Sequence, residues 1–205
     1  MAATQPAKKP TRIQARNRRR ILDAALDVFS QHGFRGTTLD QIAGAAGLSK
    51  PNLIYYFDGK EAIHAALLSD LLDTWLDPLK DLDPEGEPME EILAFVRRKL
   101  KLAQDFPRES RLFATEIIQG APHIQSVLED ELKPLVDRQA RVIRGWIAAG
   151  RLAPVDPYHL IFSIWSLTQH YADFDVQVRT VLATEDAFPG AAAHLEMLFT
   201  RLLAP

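Results

Sequence analysis

Trp165 and Gln169 stand four residues apart in a stretch whose other residues are largely apolar. On a helix they share a face. An indole beside a primary amide offers an aromatic surface with one donor and one acceptor at the same mouth, which suits a small planar, amide-like ligand. A packing tryptophan and a self-satisfied glutamine would fit the same spacing. His170, Asp173 and Asp175 follow at once, and their types invite a metal-binding or hydrolytic reading. His170 and Asp173 share a helical face, but Asp175 does not join them, and no second ligand cluster follows in the sequence. The chain has no cysteine, which excludes disulfides, thiolate metal sites and cysteine redox sensing together. The chemistry on offer is binding rather than catalysis, and no metal or other cofactor is expected.

The elements that must position these residues read as helices. Of 205 residues 47% are hydrophobic, enough for a core, and alternating runs of valine, isoleucine and threonine are missing, so the predicted class is all-α. Asp156-Pro157 sets an N-cap and a first-turn proline, opening a helix that runs to about Val178. Before it, apolar spacing predicts helices over 59–77 (stopped by Pro78), 89–105, 110–119 and 124–149, the last bent or broken near Pro134. A final helix starting near Phe188 or Gly190 carries Leu195, Leu198, Phe199 and Leu202 as a stripe. The count is about nine helices. No run of eighteen apolar residues occurs and the basic start lacks the apolar segment of a secretory signal, so a cytoplasmic protein without membrane association is expected.

The N-terminal third has a different character. Residues 1–60 hold ten Lys/Arg against four Asp/Glu, and the remainder fourteen against twenty-three. A basic module facing phosphates and an acidic body follow from that polarity. Residues 1–17 read as a disordered arm with Arg12 and Arg16 on or near DNA, and Leu22, Ala25, Leu26 and Phe29 mark a first helix from about Arg18. Thr38 is placed to cap a helix whose face is Leu39, Ile42, Ala43 and Ala46, and Gly47 supplies the left-handed residue that ends it. Ser49 then caps a very short helix with Leu53 and Phe57 turned inward. Two helices joined by so tight a turn form a helix-turn-helix.

With Gly33 to Thr38 before it and Tyr55-Tyr56-Phe57 then Lys60-Glu61 after it, this motif resembles the N-terminal DNA-binding domain of TetR-family transcriptional regulators. The resemblance implies a three-helix reader over 18–62 and a helical effector-binding and dimerisation domain over 63–205. It implies phosphate contacts from Thr37, Thr38, Tyr56 and Lys60, and base contacts from Lys50, Asn52 and Tyr55. Lysine donating to guanine and asparagine pairing with adenine agree with that in kind. The body, including Trp75 to Lys80, Ser110 to Phe113 and Thr168 to Phe174, is similar to members of the family whose DNA binding is released by uracil or thymine. Such an imide would lie between Trp75 and Trp165, pair with Gln169 and meet Phe113 as an apolar wall. The implied partners are double-stranded operator DNA, that small effector and a second copy of the chain, with Leu195, Leu198 and Phe199 at the interface. Two other readings share parts of this pattern: a regulator of the same kind sensing another aromatic or nitrogen-ring metabolite, and a helical small-molecule binding protein or enzyme without DNA binding.

Overall fold

The computed structural model describes residues 11–205, so residues 1–10 of the predicted arm lie outside the described residues. The chain divides into two compact units between Leu67 and Leu68. Helices account for every regular element among the described residues.

In the N-terminal unit, α1 (Arg12–Gly36) begins six residues before the position that apolar spacing marked. Thr11 and Gln14 form a reciprocal capping box at its start, which satisfies two orphan backbone donors and lets the polar stretch 12–17 join the helix. The described part of the predicted arm is therefore helical. Gly33, at φ +66°, interrupts α1 near its end. The helix α2 (Leu39–Ala45) opens on a second capping box, Thr38 with Gln41. It closes where Leu48 N donates to the Ala43 carbonyl across Gly47 at φ +59°. A side chain at Gly47 would collide with the Arg20 guanidinium as well as strain the backbone. Ser49 caps α3 (Lys50–Tyr56). Ile21, Phe29, Ile42, Leu53 and Ile63 are almost wholly buried and form the centre of this unit.

The fourth helix, α4 (Gly59–Lys80), contributes its first turns to this unit and the rest to the next. It runs past Pro78, where a stop was predicted. A proline in the last turn forfeits a single backbone bond, and buried Leu79 with Lys80, bound to Asp73 and Asp77, holds the turn.

The C-terminal unit contains the remainder of α4, α5 (Pro88–Asp105), α6 (Pro107–Ile118), α7 (Gln125–Val127), α8 (Lys133–Ala148), α9 (Pro157–Asp173), α10 (Asp175–Leu182) and α11 (Phe188–Leu203). Its centre is α5, packed against α6, α9 and α11. The predicted break near Pro134 takes the form of a π-helical turn over Leu128–Leu132, in which Lys133 N donates to the Leu128 carbonyl. Asp156 caps α9 through the amides of Tyr158 and His159. That helix ends at Asp173 instead of continuing to Val178, because Phe174 leaves the helical conformation and α10 restarts beyond it. Among the described residues no helix is long and apolar enough to cross a membrane.

Candidate DNA-reading surface and effector pocket

The turn between α2 and α3 presents a polar surface held by its own bonds. Lys50 Nζ meets Asp40 at 2.8 Å across the two helices, with both side chains exposed. Tyr55, 71% exposed, accepts a bond from the Gln14 amide, and Tyr56 accepts one from the Asn17 amide at 2.9 Å. These two links fasten the start of α1 to α3 and orient the tyrosine hydroxyls. Asn52 is exposed in the first turn of α3, and Thr38 is exposed while its hydroxyl caps α2. Lys50, Asn52 and Tyr55 thus stand on one short exposed helix, where base edges could be met.

One of the predicted phosphate ligands serves the fold instead, and a second is shared with it. Thr37 is buried, and its hydroxyl donates to the Gly33 carbonyl at 2.8 Å. It closes the interrupted end of α1 and has no surface left for a phosphate. Lys60 Nζ donates to the carbonyls of Phe34 and Thr37 at 2.8 and 3.0 Å and lies over the Phe34 ring. Two of its three N–H groups are committed to that clip, leaving one for DNA. Gln14 and Asn17, which the sequence gave no reason to single out, matter more to the surface than Thr37 does. Their spacing of three on a polar helical face was the available signal.

In the C-terminal unit a pocket of about 650 Å³ opens between α6, the π-helical turn and α9, and its lining includes Phe113, Leu128, Trp165, Gln169 and Asp173. Trp165, Gln169 and Phe113 therefore meet as their spacing and the resemblance predicted. The Gln169 amide lines the pocket and has no hydrogen-bond partner among the described residues, so its donor and acceptor are uncommitted. His170 also lines the pocket, stacked on Phe174 at 5.0 Å.

Trp75 departs from its predicted place. It is 5% exposed and packs with Ala103 and Ala172 outside that lining, and one face of its ring is covered by the Lys99 ammonium at 4.2 Å. It cannot act as an open aromatic platform. Lys99 itself is buried, and burial pushes it down to about 7, against the pull of Asp173. Burial likewise raises the Asp173 carboxyl, opposed by the Ser110 hydroxyl that donates to it and by Arg111, Lys99 and His170. Sequence reasoning passed over Lys99 inside a run of basic residues. Its register, with buried Phe95, Val96 and Ala103 at helical spacing, was the signal that it points inward.

Leu195 and Phe199, predicted at a dimer interface, belong to the chain's own core at 1% and 0% exposure, and Leu198 packs against that core. Leu195 and Phe199 have no surface for a second copy, whereas Leu198 is half-buried. On α9 and α11, Leu167, Met197 and Leu202 are exposed, and so is Phe162, which lines the pocket beside Trp165.

Residues 21–67 match the pattern of bacterial regulatory proteins of the tetR family, and residues 68–205 match the C-terminal region of YcdC-like protein in that family. The chain belongs to the TetR family. Among TetR-family relatives it is similar to the HTH-type transcriptional regulator RutR of Escherichia coli K12, with 48% identity over 199 residues covering 97% of this chain and 91% of the relative. It is also similar to the icaADBC negative transcriptional regulator IcaR of Staphylococcus epidermidis, at 26% identity over 55% of this chain and 65% of that protein. Solved structures of regulators share the fold as well. A TetR-like transcriptional regulator from Rhodococcus sp. RHA1 superposes with a TM-score of 0.67 at 24% identity over 95% of this chain and 97% of that one. The fatty acid degradation regulator FadR of Bacillus halodurans gives 0.67 at 21% identity over 94% and 96%. The chain is thus a transcriptional regulator with an N-terminal helix-turn-helix and a helical C-terminal domain.

Proposed function

We propose that this TetR-family regulator is a homodimeric repressor whose hold on a palindromic operator is released by a small planar pyrimidine such as uracil or thymine. The observation that carries the effector reading is the free Gln169 amide beside Trp165 and Phe113 in one pocket. A ring imide presents an N–H next to a carbonyl, and a primary amide answers both at once. The similarity to RutR over 97% of the chain supports the same reading. For about eight heavy atoms at roughly 1 kcal/mol each, affinity on the order of micromolar follows.

Lys50, Asn52 and Tyr55 read bases, while Thr38, Tyr56 and the remaining N–H of Lys60 hold phosphates. The second copy docks on the exposed sides of α9 and α11, through Leu167, Met197 and Leu202. Coupling runs through α4, whose first turns belong to the reader and whose Trp75 turn belongs to the body. Because coupling is reciprocal, operator DNA weakens effector binding by the factor by which effector weakens DNA binding.

A thermal-shift titration with uracil and thymine, using cytosine and a purine as controls, tests the effector. At 100 times the dissociation constant a true ligand stabilises the fold by about 2.7 kcal/mol. A rise with uracil or thymine alone is expected; equal shifts, or none, with all four compounds would overturn the assignment. Light scattering at micromolar concentration should give a dimer, and a monomer would remove the interface.

A further inference from the structure

Along residues 11–20 every residue is exposed except Gln14 and Asn17, which lie three apart and reach toward α3. The Gln14 amide bridges two structures. Its Oε1 accepts from the Thr11 backbone N–H at 2.8 Å, closing the capping box of α1, and its Nε2 donates to the Tyr55 hydroxyl at 3.2 Å. The first bond decides the second. With the carbonyl end committed to Thr11, only the NH2 end is left for Tyr55, so the phenolic oxygen accepts. Asn17 Nδ2 donates to the Tyr56 hydroxyl at 2.9 Å in the same sense.

A hydroxyl carries one hydrogen and two lone pairs. Where an amide hydrogen already points at the oxygen, the hydroxyl's own hydrogen turns away, and accepting one bond strengthens the bond the group donates. Tyr55 is 71% exposed, and its hydroxyl makes no other hydrogen bond among the described residues. Its hydrogen is left for whatever lies against α3. In a major groove the acceptors are guanine N7 and O6, adenine N7 and thymine O4, whereas cytosine N4 and adenine N6 are donors.

We infer that Gln14 is a positioning residue that sets the polarity of base reading: by donating to Tyr55 it makes that hydroxyl a donor, so Tyr55 selects a base edge that presents an acceptor. The inference rests on the assignment of Tyr55 to bases under the proposed function. A residue of α1, outside the helix-turn-helix, then decides what α3 reads at one base pair. Gln14→Glu reverses the polarity. A carboxylate accepts from Thr11 N as the amide does, and glutamate serves a capping box as well as glutamine, but it has no hydrogen to give and takes the one on Tyr55. The tyrosine oxygen then offers only lone pairs to the groove, which suit a base amino group.

The test starts from a randomised double-stranded DNA library, from which the full-length wild type enriches a site. Binding is then measured to every single-base-pair variant of that site, with thermal melting of each protein alongside. Tyr55→Phe should lose roughly 3- to 10-fold of preference at one base pair. Gln14→Glu should weaken all sites alike through its added charge, and also move the preference at that same base pair from a base presenting an acceptor to one presenting an amino group. It should melt near the wild type, because the cap persists. The double variant Gln14→Glu with Tyr55→Phe should show no such move. If Tyr55→Phe has its effect but Gln14→Glu leaves the preference at that pair unchanged, Gln14 only caps α1; the inference falls and Tyr55 stays at the bases. A move that persists in the double variant would mean that residue 14 meets the base itself, and would also overturn it. If Tyr55→Phe changes no base preference, or the wild type enriches no sequence, the assignment of Tyr55 to bases fails and the inference falls with it.

Discussion

In the N-terminal unit the Thr37 hydroxyl, the Lys60 ammonium, the Tyr55 and Tyr56 hydroxyls and Lys50 all find partners within the unit. In the C-terminal unit Trp75 Nε1 is buried without a hydrogen-bond partner among the described residues, and the Lys99 ammonium lies over the same indole. The first arrangement builds a rigid surface that must approach a regular duplex in a fixed shape. The second leaves a buried donor unpaired beside a buried ammonium, at a cost in stability. Polar side chains of the same types thus do opposite work in the two units.

The largest expected effect comes from the pH dependence of that cost. Lys99 is held down to about 7 by burial, whereas the unfolded chain takes up its proton below about 10.4. The penalty is complete below pH 7 and shrinks as pH rises toward 10, over which range the unfolded state binds more protons. Urea unfolding of the ligand-free wild type should therefore show stability climbing across that window by on the order of 4 kcal/mol. Lys99→Met should flatten the climb; an identical slope in the variant would show that Lys99 carries no such cost. Next in size, Lys60→Met should destabilise the N-terminal unit by about 1–2 kcal/mol, since two part-buried carbonyls lose their donor. If Lys60 served only phosphates, the same variant would melt like the wild type and lose only DNA affinity. For Lys50→Ala the contrast predicts a change of sequence preference, by about 1–3 kcal/mol at one base pair, with little change in melting. Binding to a library of operator variants would register it. The smallest effect is at the α2 cap, where Thr38→Ala should cost about 1 kcal/mol of stability in urea unfolding.

The same contrast explains what could be read from the residues alone. Caps and turns are local, so Thr38, Gly47, Ser49 and Asp156-Pro157 marked their elements from sequence. Spacing along one helix is local too, and it brought Trp165 and Gln169 to a common face. The direction in which a face points is not local. In α4, buried leucines and Trp75 left the side facing the pocket undetermined, and Trp75 turned inward under Lys99. The stripe Leu195, Leu198, Phe199 and Leu202 defined a shared face of α11 without saying whether its partner was the same chain or a second copy. Leu195 and Phe199 went into the core, and Leu202 remained outside. Thr37 was misread for a related reason: a hydroxyl suits a phosphate and a backbone carbonyl equally, and only the break at Gly33 decides between them.

The π-helical turn over Leu128–Leu132 also bears on how a scaffold of this kind could change what it senses. Such a turn accommodates one residue more than an α-turn would. Its Leu128 and Leu132 form part of the pocket wall, while Val136, Ala140 and Ile143 of α8 are anchored in the core just beyond. Losing a single residue from the turn would rewind it to α-helix and swing the preceding side chains by about 100° around the axis, leaving the register of α8 intact. A one-codon deletion there would therefore reshape the pocket wall in one step without repacking the domain behind it. Chain length at this point is then an evolutionary variable separate from side-chain identity.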